Sequence, residues 1–295
     1  MRKILSIQGG GIRGIIPCCA LIELERQLGG LTRDHIDMIA GTSTGALLAA
    51  CVAAGVPASD ALKVYVDKGP EIFSPQNDVE RKIKLIATGH MFDSEVLAKV
   101  VRGTLPNPAV VINDLPIRVL ITAVDMSGDR WFFVKDQPGN AKTTGAYCLV
   151  DAAVASACAT TYHQPWLIPG LGYFFDGGTG GLADPVYHAA VEAFCYDDFQ
   201  PADTEIISLG TGFYRPPKPP DPPGNLLANI SWVVSSLIAA SKSEAEEAVN
   251  RHWPDILTSF NPPLPSEIDE ADVSQIPTLL KIGQEAAARM EFNTI

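Results

Sequence analysis

Residues 38–50 read Met38-Ile39-Ala40-Gly41-Thr42-Ser43-Thr44-Gly45-Ala46-Leu47-Leu48-Ala49-Ala50. The apolar run before the first glycine predicts a buried strand, and residues 44–54 predict a buried helix. The G-x-S-x-G pattern between them has the small residues that a sharp strand-to-helix turn needs. Such a turn would present the Ser43 hydroxyl at a helix N-terminus, where free N–H groups and the helix dipole favour an oxyanion. The pattern is short enough to occur by chance, so the prediction of a nucleophilic serine rests on its flanking elements.

Two further glycine loops follow apolar strands. The first is residues 9–14, Gly9-Gly10-Gly11-Ile12-Arg13-Gly14, and the second is residues 176–178, Asp176-Gly177-Gly178. Because the carboxyl ends of parallel strands gather at one edge of a sheet, we expect both loops to lie beside the serine turn. The N–H groups of Gly10, Gly11 and Thr44 would then bind an oxyanion, and Asp176 would act as the base for Ser43.

Strand and helix patterns alternate along the opening fifth of the chain, and further strands and helices follow. Apolar runs predict strands at residues 3–7, 36–40, 117–124, 130–134, 173–175 and 205–209. Apolar periodicity predicts helices at 15–28, 44–54, 149–159, 185–194, 226–240, 243–251 and 276–290, and a helix-rich region at 57–103 with a break near Gly69-Pro70. This alternation predicts an α/β fold with a parallel sheet and helices on its faces.

Composition narrows the class of protein. The chain has 295 residues and a net charge of −12, from 22 basic and 34 acidic residues. This balance disfavours nucleic-acid binding and purely electrostatic attachment to anionic lipid, so we expect any membrane contact to use apolar surface. The six cysteines show no metal-ligand spacing, which predicts a reduced, intracellular protein without a metal site. We find no leader peptide and no spanning apolar run, and therefore predict a soluble, cytoplasmic protein.

The composition changes abruptly at residues 215–224, where proline dominates. We interpret this segment as a stiff connector, with an SH3-ligand motif as the alternative. It predicts a division into a catalytic core, residues 1–212, and a helical extension, residues 213–295, packed on the core.

The three glycine motifs together resemble the patatin-like phospholipase family in wording and order. Residues 9–17 and 41–45 match that family's pattern nearly throughout, and the alanine-rich helix with Ser156 is also similar. The resemblance covers residues 2–212. It implies a three-layer α/β/α fold with a mostly parallel central sheet, and a lipid acyl hydrolase that needs no cofactor. Two departures are Ala183-Asp184-Pro185, where the family commonly has Asn-Pro, and Thr160-Thr161, where a proline is common.

The resemblance also implies roles for single residues. Ser43 would be the nucleophile and Asp176 the base of a Ser–Asp dyad that cleaves phospholipid acyl esters through an acyl-enzyme. Gly10, Gly11, Arg13 and Thr44 would form the oxyanion site. The remaining motif glycines would support these loops: Gly9, Gly14, Gly41, Gly45, Gly177 and Gly178.

Bacterial patatin-like effectors of nucleotide-signalling anti-phage systems open with a very similar glycine loop. This likeness implies the hypothesis that a cyclic nucleotide activates the protein in antiviral defence. The family resemblance also predicts transient peripheral contact with membrane phospholipid. Association with a further copy of the chain is left open.

Three rival interpretations remain open. Gly9, Gly11 and Gly14 also satisfy the Rossmann G-x-G-x-x-G, although the second predicted strand lacks the acidic residue that would hold a ribose. An α/β-hydrolase triad would use His188 or His252, but its serine normally follows more than two strands. A binding protein that keeps the pocket without turnover is the third.

Several surface features have two possible explanations. The apolar stretches 131–133, 166–168 and 232–234 either belong to the core or touch lipid, and the core is favoured because such residues are usually buried. The basic cluster Arg81, Lys82 and Lys84 is interpreted as a solvated helix face.

Overall fold

The computed structural model describes residues 1–75, 77–140, 142–215 and 226–291. The strands are β1 Arg2–Ile7, β2 Met38–Gly41, β3 Arg118–Asp125, β4 Arg130–Val134, β5 Trp166–Ile168, β6 Gly172–Asp176, β7 Thr204–Leu209 and β8 Leu257–Phe260. The helices are α1 Ile15–Leu28, α2 Thr44–Ala54, α3 Ala58–Ile72, α4 Asp78–Thr88, α5 Ser94–Thr104, α6 Leu149–Ala157, α7 Val186–Val191, α8 Leu226–His252 and α9 Ile276–Ala287.

The described strands form a single mixed sheet in the order β5-β6-β3-β2-β1-β7-β8, with β4 also paired to β3. The central strands β3, β2, β1, β7 and β8 run parallel. Strands β4, β5 and β6 are antiparallel to their neighbours. The α/β class with a mostly parallel central sheet is therefore confirmed.

Side-chain alternation along the strands produces two cores. Ile4 and Met38 face one cluster, which α7 and α8 cover, whereas Leu5 and Ile39 face a larger cluster, which α1, α2 and α6 cover. A strand that is buried on both faces carries apolar residues on both of its sides, as β1 does at Ile4, Leu5 and Ile7. Helices thus cover both faces of the sheet and give three layers.

Strand β6 approaches β3 against the direction that the sequence predicts. At Leu120 and Ile121, β3 pairs with β2 and β4 at once, so these two strands occupy its opposite edges. At Ala123 and Val124 it pairs with β4 and β6, which puts β6 on the same edge as β2. The carboxyl ends of β2 and β6 therefore meet head to head on one edge of β3. Gathering of parallel strand ends is not what brings these two ends together.

The last eighty residues contribute to the same sheet. Strand β8, which the sequence does not reveal, pairs parallel with β7, from Ile206↔Leu257 to Leu209↔Phe260. The buried residues Ile276 and Leu279 of α9 belong to the larger core, and Val249 of α8 belongs to the smaller one. The predicted boundary at residue 212 stays a prediction.

Element boundaries differ from the predictions at a few places. Helix α3 continues through Gly69-Pro70 and ends at Ile72, so the break comes two residues after the predicted one. The two helices predicted at 226–251 are one helix, α8, because neither glycine nor proline interrupts it. Strand β5 was missed because it has three residues. The proline-rich connector, apart from Arg215, lies outside the described residues.

Candidate active site

Ser43 lies at a strained turn between β2 and α2. Its backbone has φ 57° and ψ −126°, a conformation that residues with side chains rarely adopt and that costs roughly 1–3 kcal/mol. Neighbouring contacts hold the turn in place. The Ser43 N–H donates to Ser156 Oγ at 2.9 Å, and Thr42 Oγ1 donates to the carbonyl of Leu182 at 2.6 Å. Strain that the surroundings enforce is typical of a nucleophile turn.

Close backbone packing explains the two glycines that flank the serine. A Cβ on Gly41 would lie 2.3 Å from the carbonyl oxygen of Gly45, and a Cβ on Gly45 would lie 2.1 Å from the carbonyl oxygen of Ile7. Strand β1, the serine turn and α2 therefore approach more closely than any side chain permits. A similar contact exists beside β6, where a Cβ on Gly177 would lie 2.1 Å from Thr122 Oγ1.

Asp176 ends β6 and is 4% exposed. Its Oδ1 accepts a hydrogen bond from the Gly178 N–H at 2.7 Å, so the glycine that follows it fixes the carboxylate. Asp176 and Ser43 line the same pocket. The structure thus brings together the two side chains that the sequence pairs, although their roles stay predictions.

Burial raises the pKa of Asp176 to about 7, against an ordinary value of 3.8. The nearby Ser43 hydroxyl and the hydrogen bond from the Gly178 N–H lower this pKa, and the nearby Glu270 carboxylate raises it. A carboxylate with a pKa near 7 can both accept a proton and return it at neutral pH. Asp176 therefore has the acid–base property that a single-residue base requires.

Three backbone N–H groups lie beside this pair. Those of Gly10, Gly11 and Thr44 have no hydrogen-bond acceptor in the part of the chain that the structure describes. Gly10 lines the pocket of the pair, and Gly11 and Thr44 line the adjoining cavity together with Ser43. They are therefore available to a substrate oxygen.

The other predicted members of the glycine loop make different contacts. The Gly9 N–H donates to the carbonyl of Ala183 at 2.9 Å, and the Arg13 N–H donates to the carbonyl of Gly10 at 3.1 Å. The Arg13 guanidinium pairs with Glu270 at 2.5 Å. A Cβ on Gly14 would lie 2.4 Å from Thr44 Oγ1. Gly9, Arg13 and Gly14 thus shape the loop, and the N–H groups of Gly9 and Arg13 are already occupied.

Glu270 covers the glycine loop from the C-terminal part of the chain. Its carbonyl accepts the Ile12 N–H at 2.8 Å, in addition to the ion pair with Arg13. It lines both the pocket of Ser43 and the cavity beside it. The sequence analysis missed Glu270, because a lone glutamate in a polar segment carries no motif.

Lys242 and Asp184 make hydrogen bonds to the start of the glycine loop and to the residue before it. Lys242, on α8, donates to the carbonyl of Gly9 at 2.6 Å, and burial lowers its pKa to about 8. Asp184 accepts from Gln8 Nε2 at 2.7 Å and from the Val186 N–H at 3.0 Å, and burial raises its pKa to about 7. The aspartate at the family's Asn position therefore holds the start of α7 to the end of β1.

An apolar cavity opens beside Ser43, between α2, α3 and α5. Its volume is about 880 Å³, including the part open to solvent. Most of its lining is apolar, with Leu47, Leu48, Val64, Ile72, Leu97 and Val101 among the contributors. Its polar members include His163, whose two ring nitrogens have no hydrogen-bond partner in the described structure. A cavity of this kind suits a hydrocarbon chain.

The histidines of the rival triad are not placed for catalysis. His188 packs on the Phe132 ring at 4.8 Å, and burial lowers its pKa to about 4. His252 contacts the carbonyl of Ala248 at 2.8 Å. Neither residue lines the pocket or the cavity that contains Ser43. We therefore predict that His188→Ala retains at least half of the ester hydrolysis rate measured with p-nitrophenyl butyrate, whereas a loss as large as that of Ser43→Ala would indicate a triad.

Two of the three candidate lipid-contacting stretches lie mostly in the core, although Leu167 between Trp166 and Ile168 is 50% exposed. Trp166 is buried and donates to Asp151 at 3.1 Å, and Phe133 is fully buried. Trp131 lies under Lys142, whose Nζ is 3.7 Å from its ring centre. The side chains of Trp232 and Val234, in the third stretch, lie outside the part of the chain that the structure describes.

Within the described ranges, no three His, Cys, Asp or Glu side chains are grouped as a metal ion would require. No helix in those ranges is both long and apolar enough to cross a bilayer.

Comparison with known proteins gives consistent matches. Residues 5–189 match the family model described as patatin-like phospholipase. The chain is 33% identical over 228 residues to a cGAMP-activated phospholipase of Vibrio cholerae serotype O1, covering 71% of this chain and 64% of that protein. It is 29% identical over 245 residues to Patatin-17 of Solanum cardiophyllum, covering 72% of this chain and 61% of that protein. The chain thus spans less than two thirds of the length of these relatives.

Among solved structures, VipD from Legionella pneumophila superposes with a TM-score of 0.50 at 12% identity, over 98% of this chain and 66% of that one. This likeness concerns the fold alone. The family model, in contrast, covers more than half of the sequence and includes the serine turn, the glycine loop and the Asp176 loop. The predicted resemblance is therefore confirmed, and this chain belongs to the patatin-like phospholipase family.

Proposed function

We propose that this chain is a serine lipid acyl hydrolase of the phospholipase A type. One observation carries the proposal: a serine at a strained strand-to-helix turn lies beside a buried carboxylate at an apolar cavity. Family membership supports the same conclusion.

The proposed reaction follows from the positions of these groups. Asp176 takes the Ser43 proton while Ser43 Oγ attacks the ester carbonyl carbon, and the N–H groups of Gly10, Gly11 and Thr44 stabilise the resulting oxyanion. The carbonyl re-forms and expels the alcohol, which receives the proton from Asp176. Water then attacks the acyl-enzyme, with Asp176 again accepting a proton and returning it to Ser43.

The apolar cavity supports a long-chain acyl group as the part of the substrate that is bound. Ser43 lines both the cavity and the smaller pocket that contains Asp176. An acyl chain in the cavity would thus place its ester at Ser43, with the alcohol portion toward the smaller pocket. Burial of the chain would supply most of the binding free energy, at about 0.8 kcal/mol for each methylene group.

Product analysis tests the proposed activity. A phosphatidylcholine with different acyl chains at its two positions is incubated with the protein, and the released fatty acid is identified by mass spectrometry. We expect release of free fatty acid by the native chain and none by Ser43→Ala. Release of phosphate or head group instead would contradict acyl hydrolysis.

The dependence on pH offers a second test of Asp176. Since the base must be deprotonated, we expect kcat/KM to rise with pH and to level off above a midpoint near 7, the pKa of Asp176. Glu270→Gln removes a negative charge that raises this pKa, so its midpoint should move to lower pH. Glu285→Gln, an exposed neutralisation on α9, is the matched control and should leave the midpoint in place. An unshifted midpoint in Glu270→Gln would argue against Asp176 as the titrating group.

We further propose activation by a cyclic dinucleotide, in line with antiviral defence. Its support is the similarity to cGAMP-activated phospholipases of Vibrio cholerae and Escherichia coli. We expect cGAMP to raise the rate of phospholipid hydrolysis at least tenfold. Equal rates with and without cGAMP would contradict the activation and leave the hydrolase proposal standing.

A further inference from the structure

Helix α4 presents apolar side chains to solvent. None of its residues is buried, and Val79, Ile83 and Ile86 are 68%, 62% and 82% exposed. Their spacing of four and three residues places them on one side of the helix. We call these three residues the α4 stripe. A surface helix normally turns its apolar side toward the core, so an outward stripe indicates a surface that binds something apolar.

Arg81 fixes this orientation. Its guanidinium donates to the carbonyl of Pro75 at 2.8 Å and to the carbonyl of Ala271 at 3.2 Å, and it lies over the Phe92 ring at 5.3 Å. Arg81 is two residues from Val79 and two from Ile83, so it lies on the opposite side of the helix. The interpretation of Arg81 as part of a solvated face is therefore wrong, because its charge is held by carbonyls on the inward side.

These contacts place α4 beside the substrate cavity. The Phe92 ring packs against Phe73 at 5.3 Å and His163 at 5.5 Å, and both of these residues line the cavity. Ala271, which accepts from Arg81, directly follows Glu270, which lines the cavity and the Ser43 pocket. Whatever binds the stripe is thus brought next to the site of catalysis.

We propose that α4 is an interfacial helix that rests on a lipid surface, with the stripe inserted among the acyl chains. The proposal builds on the proposed lipid acyl hydrolase function. Lys82 is exposed and flanks the stripe on one side, where it would meet lipid phosphates. Lys84 is half-buried on the inward side with Arg81, and the exposed Asp78 and Glu80 offset the positive charge of the helix, so the apolar stripe is the main contact.

Position favours lipid over a second copy of the chain as the occupant. The stripe belongs to the helix whose inward side contacts Phe92 and Ala271 beside the substrate cavity, and the proposed substrate is a phospholipid. A bilayer that receives the stripe would therefore also supply the acyl chain that enters the cavity.

Vesicle partitioning tests the proposal. Ser43→Ala is used as the background so that the vesicles stay intact, and binding to phosphatidylglycerol–phosphatidylcholine vesicles is measured by co-sedimentation. We expect Ile83→Asp/Ile86→Asp to lower the partition coefficient at least tenfold. Met126→Asp is the matched control, since Met126 is 61% exposed and belongs to the turn between β3 and β4. It should leave binding unchanged. Lys82→Glu should weaken binding to anionic vesicles more than binding to pure phosphatidylcholine.

Two further measurements separate the possible failures. With Ser43 present, Ile83→Asp/Ile86→Asp should hydrolyse a monomeric p-nitrophenyl ester as fast as the native chain does. On vesicle phospholipid, its rate should be a tenth or less of the native rate on the same vesicles. The unfolding temperature should be unchanged because both positions are exposed. Unchanged partitioning, a background protein that does not bind vesicles, or loss of a dimer without loss of vesicle binding would each overturn the lipid assignment. A chain that binds vesicles through α4 and hydrolyses no ester would instead overturn the proposed function.

Discussion

Asp176→Asn should reduce the rate of ester hydrolysis about a thousandfold or more, as should Ser43→Ala. Asparagine keeps the shape of the side chain and an oxygen for the Gly178 N–H, but it cannot take the Ser43 proton. Because the two residues would act as one unit, the double variant should be no slower than either single variant. The measurement is kcat/KM on p-nitrophenyl butyrate, with labelling by a fluorophosphonate as a direct report on Ser43.

Stability distinguishes this catalytic role from a structural one. The pKa of Asp176 is about 7 in the folded chain against an ordinary 3.8, so the folded state binds this proton more tightly than the unfolded state. The contribution of Asp176 to stability therefore falls as pH rises between these two values. Asparagine is uncharged, so its burial does not carry the free-energy cost of burying a carboxylate. Asp176→Asn should therefore unfold at a higher temperature than the native chain at pH 8. An inactive variant that is also less stable at this pH would indicate a structural role.

Most elements of the fold are encoded locally and could be predicted. Helix α1 begins and ends where the sequence predicts because Pro17 suits its first turn and Gly29 adopts the left-handed conformation that ends it. The direction of β6 could not be predicted, since nothing within a five-residue strand states which neighbour it pairs with. Strand β8 was missed because its two middle residues, Thr258 and Ser259, are polar and exposed.

The candidate site divides in the same way. Ser43, Asp176 and the glycine loops were found because close backbone approach demands glycine at fixed spacing, which leaves a readable pattern. Lys242 and Glu270 reach the glycine loop from more than two hundred residues away in sequence. A single charged side chain on a helix or a loop has no periodicity, so only the tertiary contact reveals it.

Gly45→Ala should destabilise the chain by about 3 kcal/mol or more, the largest stability effect that we expect from a single methyl group. The added Cβ would lie 2.1 Å from the carbonyl oxygen of Ile7 and 2.9 Å from that of Gln8. Both are backbone atoms, and β1 is paired with β2 on one side and β7 on the other, so it cannot move without disturbing the sheet. Either α2 shifts, which displaces the Ser43 turn, or the strands separate. We therefore expect a lower urea midpoint together with reduced ester hydrolysis.

Gly103→Ala provides the matched control, since Gly103 also lies in a helix, α5, but a Cβ there meets nothing within 4 Å. Alanine restricts the unfolded chain and favours helix, so this variant should gain about 0.5–1 kcal/mol with unchanged hydrolysis. The opposite signs of the two substitutions would separate helix propensity from packing at the turn. If Gly45→Ala were as stable as the native chain, the close approach of β1 to α2 would not exist. The geometry that fixes Ser43 beside Asp176 would then need another explanation.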